Sequence, residues 1–151
     1  MSVRADIGIQ PPKKVQIGET IRQSVIVRFD ISCIEEGYYC FAMPVLIGAS
    51  SHLPENVLVG GGIIMATLVP EELGCSAVFV APNFVITHSG KYRLRVDIYK
   101  VAYSDPNGAT LLAQLTTSRI SAREGRAPEH IPTNEERAFI DALVAADVPL
   151  N

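Results

Sequence analysis

Histidines, cysteines and two adjacent glutamate pairs are the residues with which this chain could do chemistry, and their spacing argues against each kind. His52, His88 and His130 are far apart and form no HExxH or comparable ligand pattern, so they read as loop or strand residues. Cys33, Cys40 and Cys75 are odd in number and include no CxxC pair. Neither a zinc cluster nor a complete disulfide framework fits them, and they read as small buried hydrophobes. Glu35-Glu36 and Glu71-Glu72 lie beside turn signals. Adjacent strand residues point to opposite faces, so neither pair is a ready acid/base dyad. Gly60-Gly61-Gly62 is followed by strand-like residues and no Gly-Lys-Ser/Thr, which excludes a phosphate loop and suits a bulge. Ser50-Ser51-His52 and Ser76 lack a nucleophile-elbow context. The sequence therefore supplies no catalytic, cofactor-binding or metal-ligating residue and predicts a non-enzyme.

Two basic clusters remain. Lys13, Lys14, Arg22 and Arg28 lie early in the chain, and Arg119, Arg123 and Arg126 lie late. Such charges usually form a solvated surface. The sharper reading is that loops at one end of a sandwich combine them into a surface that contacts phosphates. Against this, 13 basic and 16 acidic residues give a net charge of −3, which disfavours a free-standing nucleic-acid binder.

The elements that must position these residues are mostly strands. Hydrophobic residues make up 48% of the 151-residue chain and charged residues 19%, the balance of one folded domain spanning 1–151. Met1 to Gln10 has no apolar signal-peptide core. The longest nearly apolar run, Val57 to Val69, is shorter than the ~20 residues of a membrane span and is broken by three glycines. A soluble intracellular protein with no membrane partner is expected.

Arg4 to Ile9 reads as a short edge strand ended by Pro11-Pro12. Val25, Val27, Phe29 and Ile31 share one strand face, with Ile26, Arg28 and Asp30 on the other. Tyr38 to Ile47 is an apolar strand in which Pro44 marks a bulge or an edge. Gly48 to Asn56 is a loop; Ile63 to Val69, Ala77 to Val80 and the stretch around Phe84 and Ile86 read as further strands. Ser104-Asp105-Pro106-Asn107-Gly108 predicts the turn of a hairpin that ends in a last strand, Thr110 to Ile120. Arg119 to Pro132 reads as irregular.

Between them lies Ser89-Gly90-Lys91-Tyr92-Arg93-Leu94-Arg95-Val96-Asp97-Ile98, a strand with one apolar and one charged face. Gly90 two residues before Tyr92, and Leu94 two after, resemble the tyrosine corner of immunoglobulin-like sandwiches. Leu94 stands where an immunoglobulin domain carries cysteine. An all-β immunoglobulin-like sandwich without its disulfide is therefore predicted, and such folds are usually binding modules.

The one convincing helix comes last. Thr133 followed by Glu136 forms a capping-box pattern, and Phe139, Ile140, Leu143 and Val144 follow as an apolar stripe before Pro149. The helix is expected to pack on the sandwich.

The order of segments resembles the velvet domain of fungal regulators over nearly the whole chain. The central match is Asn83-Phe84-Val85-Ile86 leading into Gly90-Lys91-Tyr92-Arg93-Leu94, which is similar to the family's Gly-x-Tyr-Arg-Leu segment. Leu58-Val59-Gly60 upstream and Ser121-Ala122-Arg123 downstream resemble flanking family segments. The N-terminal end departs from the pattern: Gln10-Pro11-Pro12-Lys13-Lys14 and Gly18 look like a reduced version of it, Arg22 stands alone, and the proline run is missing.

The resemblance implies a Rel-homology-like sandwich without enzymatic activity or cofactor. It implies a regulator of fungal development, sporulation and secondary metabolism that works as a homodimer or as a heterodimer with another velvet-domain protein. It also implies a nuclear location, shuttling with the cytoplasm, and contact with double-stranded DNA. Lys13, Lys14, Arg22 and Arg123 are the expected DNA-contacting residues. The reduced N-terminal segment makes weak or partner-dependent binding the expectation. The alternatives are an interaction module without DNA binding and a small-molecule-binding protein or enzyme on the same sandwich.

Overall fold

The structure, a computed structural model, describes residues 4–21, 25–48, 58–59, 62–81 and 83–150. Among the described residues it is a two-sheet sandwich with one α-helix. The first sheet contains β1 (Ala5–Ile9), β3 (Ile26–Phe29), β8 (Ala77–Val80) and β7 (Thr67–Leu68), in the order β1-β3-β8-β7. The second contains β2 (Lys14–Gln16), β12 (Ile120–Arg123), β10 (Gly90–Ala102), β4 (Tyr38–Gly48) and β6 (Ile64–Met65), in the order β2-β12-β10-β4-β6. The strand β11 (Asp105–Thr116) also pairs with β10, and β5 (Leu58–Val59) pairs with β9 (Val85–Ile86) in a small ribbon.

Strand alternation builds the central core. Val25, Val27, Phe29 and Phe79 from the first sheet meet Cys40, Ala42, Tyr92, Leu94, Val96, Ile98, Ile120 and Ala122 from the second, all buried. Phe29 and Phe79 tilt against each other at 5.5 Å between centroids. The opposite face of the first sheet is apolar as well, because the helix α1 (Asn134–Ala145) covers it. Ile9, Ile26, Val78, Leu143 and Val148 form this second core, with Phe139 and Ile140 packed against it. Val144, expected in the helix's apolar stripe, is exposed instead, because only the Phe139, Ile140 and Leu143 side faces the sheet.

The capping box forms as the sequence predicts. Thr133 Oγ1 accepts from the Glu136 amide at 3.1 Å, and Glu136 Oε1 accepts from the Thr133 amide at 3.1 Å. The other Glu136 carboxylate oxygen accepts from the Gln10 amide at 2.8 Å, tying the helix start to the end of β1.

The long segment Ile63 to Val69 is not one strand. Ile64–Met65 pairs with β4 in the second sheet and Thr67–Leu68 with β8 in the first, so the chain changes sheet at Ala66. The turn expected over Ser104 to Gly108 is shorter and earlier. Ala102 pairs with Asp105, leaving Tyr103-Ser104 as the turn; Val101 pairs with Ala109, so Pro106, Asn107 and Gly108 form a bulge. The last predicted strand is two strands. It breaks at Thr117, and Ile120–Arg123, read as the start of an irregular tail, pairs with both β10 and β2. Pro44 takes the edge position its missing N–H requires: β4 runs in unbroken register with β10, while β6 covers only Phe41 and Ala42 on its other side.

Candidate functional site

The tyrosine corner is the frame of the site. Tyr92 is buried, and its hydroxyl donates to the His88 carbonyl at 2.9 Å and lies 3.2 Å from the Ser89 carbonyl. Gly90 takes φ +154°, and a Cβ there would lie 3.0 Å from the Tyr92 hydroxyl oxygen, so any other residue would be strained and crowded here. Leu94 is fully buried. β10 changes neighbour here, from β12 at Gly90–Tyr92 to β11 from Arg95 onward. Thr117 fills the gap: its amide donates to the Leu94 carbonyl at 2.8 Å, and its Oγ1 accepts from the Leu94 amide at 3.0 Å. That local repair explains why Thr117 is buried without cost.

This corner sets β12 beside β10, and β12 in turn pairs with β2 in parallel. Lys91 is in register with Ser121, and Ser121 with Lys14. The alternating residues Val15, Ala122 and Tyr92 are buried, so Lys14, Ser121 and Lys91 stand together on the outer face. Two strand spacings, about 10 Å, separate the two lysines. Arg123 follows on the same face, and its Nε donates to Ser121 Oγ at 3.2 Å. Lys13, Lys14, Lys91 and Arg123 are exposed, and none pairs with a carboxylate among the described residues.

Of the four residues expected to contact DNA, Lys13, Lys14 and Arg123 are thus brought to one edge of the second sheet, and Arg22 lies outside the described residues. Lys91 was missed. Its signal was its parity: it alternates with Tyr92, so it must face outward beside whatever strand pairs with the corner. Beside these residues, Lys14, Gln16, Glu19, Arg126 and His130 help to line a groove of about 600 Å³. Glu19 and Glu129 in its wall balance the charges of Lys14 and Arg126.

Elsewhere the chemistry is quiet. An open cleft of about 800 Å³ is lined by Asp6, Arg28, Asp30, Cys75 and Ser76. Arg28 is held there by Asp6, with Nε 2.8 Å from Oδ1. Burial pushes the Cys75 thiol above its ordinary value, outweighing the opposing pull of Arg28, so the thiol is not an activated nucleophile. Cys40 is buried, while Cys75 is only half-buried, which departs from the expectation of buried thiols throughout. Among the described residues no three His, Cys, Asp or Glu side chains gather as a metal site. His88 is exposed beside Thr87, and His52 lies outside the described residues.

No family model matches the chain, and no curated protein matches it. Among solved structures it is similar to the ASH/PapD-like domain of human CEP192 (PapD-like domain 7), with 13% identity, 83% of this chain and 89% of that one covered, and a TM-score of 0.38. It is also similar to the CooA pilin subunit from enterotoxigenic Escherichia coli, with 12% identity, 79% and 98% coverage, and a TM-score of 0.27. The sandwich assignment itself stands on the strand order and the two cores described above.

Proposed function

We propose that this sandwich is a non-enzymatic, velvet-type transcriptional regulator that pairs with a second velvet-type chain and contacts DNA phosphates through Lys13, Lys14, Lys91 and Arg123. It acts in the nucleus, shuttling with the cytoplasm, in fungal development and secondary metabolism. The observation that carries this reading is the parallel pairing of β2 with β12. It joins two segments more than a hundred residues apart and gathers exposed cations that form no ion pair among the described residues. An exposed cationic row suits phosphates, which carry no base-specific information but fix position.

The net charge of −3 favours a second reading, an interaction module that does not touch DNA. Duplex binding measured by fluorescence anisotropy across a salt series separates the two. Salt-dependent binding that weakens on Lys14→Ala and Lys91→Ala supports the first reading. No binding by the protein, alone or mixed with a second velvet-domain protein, at low salt sinks it.

A further inference from the structure

A strand at the edge of a sheet turns unbonded N–H and C=O groups outward, and natural edges are kept short or charged so that no further strand adds to them. Here β6 and β7 have two residues each, β1 carries Asp6 and β2 carries Lys14. The strand β11 is different. It is 12 residues long and pairs with β10 alone. It holds no charged residue from Pro106 through Ser118. β1 comes close to it but pairs only with β3.

The register says which groups point outward. Thr117 bonds Leu94 through its amide and its hydroxyl, so these two residues face each other. Bonded pairs alternate with non-bonded ones along an antiparallel ladder. Val96 with Leu115, Ile98 with Ala113 and Lys100 with Thr110 are therefore the bonded pairs. Ala109, Leu111, Gln114 and Thr116 turn their N–H and C=O groups away from β10. All four residues are exposed, and these groups have no partner among the described residues. Leu112 is an extra residue between the Ile98–Ala113 and Tyr99–Leu111 pairs, a β-bulge. The outward residues 109, 111, 114 and 116 thus follow at intervals of two, three and two, an order that reads the same from either end.

We propose that β11 is the pairing edge for a second copy of this chain, added antiparallel about a two-fold axis between Leu112 and Ala113. This rests on the pairing half of the reading above and names its surface. Under that axis Ala109 faces Thr116 of the other copy, and Leu111 faces its Gln114. Each contact occurs twice, as a two-fold interface requires. The four bonded pairs exchange about eight backbone hydrogen bonds. A regular extended peptide turns outward at every second residue and falls out of step across Leu112. The three-residue interval is matched by a strand that carries the same bulge in reverse, which its own copy does. With no charge on the strand, self-pairing sets no like charges opposite each other.

Sedimentation equilibrium of the whole chain over a concentration series tests this. The wild type should self-associate to a dimer. Gln114→Pro removes one outward N–H and sets a ring on the edge, a position where a strand tolerates proline. It should weaken the dimer at least tenfold while circular dichroism shows an unchanged fold. Leu111→Lys with Gln114→Lys opposes like charges across the axis and should also weaken it. Leu111→Lys with Gln114→Glu opposes unlike charges and should restore it. These two variants alter only exposed side chains, so they decide the matter even if the proline variant unfolds. A monomeric wild type at every concentration overturns the proposal, as does a dimer indifferent to the folded proline variant. Equal dimerisation of the two charge variants overturns the two-fold register. A chain that is monomeric alone, yet binds DNA when mixed with a second velvet-domain protein, defeats this inference and leaves the reading above standing.

Discussion

The hydroxyl of Tyr92 lies 2.9 Å from the carbonyl oxygen of His88, four residues back along the chain. That bond closes the turn that delivers Lys91 to the outer face and Leu94 to the core. Tyr92→Phe keeps the ring and removes the donor, so stability should fall by about 1 kcal/mol, the scale of one hydrogen bond. Urea unfolding followed by circular dichroism would measure it, and an unchanged midpoint would count against the corner as the organiser of this end.

The same residue makes a pH prediction. Burial raises the Tyr92 phenol above its ordinary value of 10.0. A group whose pKa is higher folded than unfolded contributes stability that is complete below the unfolded value and is lost as pH rises through the folded one. Stability should therefore decline above about pH 10, and Tyr92→Phe should make that alkaline limb shallower. Thermal melts between neutral pH and pH 11 would show whether the two proteins diverge there.

Gly8 lies beneath the ring of Phe139. A Cβ at Gly8 would lie 2.8 Å from a Phe139 ring carbon and 3.1 Å from Arg28 Cγ. Gly8→Ala should push the ring off β1 and cost about 1–3 kcal/mol. Because the closest clash is with the Phe139 ring, Phe139→Leu in the same protein should recover part of the loss, a non-additive pair. Strict additivity of the two substitutions would mean that the helix does not rest on Gly8.

Glu136 performs two tasks, capping the helix and accepting from Gln10. Thr133→Ala should cost about 0.5–2 kcal/mol by removing one acceptor from the first turn. Glu136→Ala should cost more, because the Gln10 amide also loses its partner. Hydrogen exchange should show faster opening at Gln10 in the Glu136 variant alone. Equal exchange at Gln10 in both variants would deny the tie between helix and strand.

These relationships differ in how far local sequence reaches. The corner, the capping box and the core face of β10 follow from spacing within a few residues, and each stands where the alternation of Tyr92, Leu94 and Val96 or the Thr133 to Glu136 interval puts it. The pairing of β2 with β12 does not, since three-residue strands leave no period to detect and Pro11-Pro12 reads locally as a break. The hairpin turn was displaced because Pro106 and Gly108 suit a bulge as well as a turn, and only the register of β10 with β11 decides between them. The helix was expected to pack on the sandwich and Ile26 was placed on the face opposite Val27, but that the two meet there with Val78 required the fold. The basic edge shared this limit: Lys14 and Arg123 were visible as charges, while their union through Ser121 and the addition of Lys91 required the strand order.

That union sets the size of the expected electrostatic effect. Each phosphate contact releases counterions, giving a slope in log affinity against log salt of about −0.9 per contact. Lys13→Ala with Lys14→Ala should flatten the slope by up to about two units, and Lys91→Ala by about one more. Affinity should fall uniformly across duplex sequences, because phosphates carry no sequence information. Any association with a second chain should be left intact in the Lys13 and Lys14 variant, because two surface lysines contribute little to a packed interface. Tight binding with a steep slope that ignores all three lysines would place the DNA contact on another surface. A shallow slope in the wild type would instead mean that few phosphates are engaged, and would favour the interaction module that the net charge of −3 suggests.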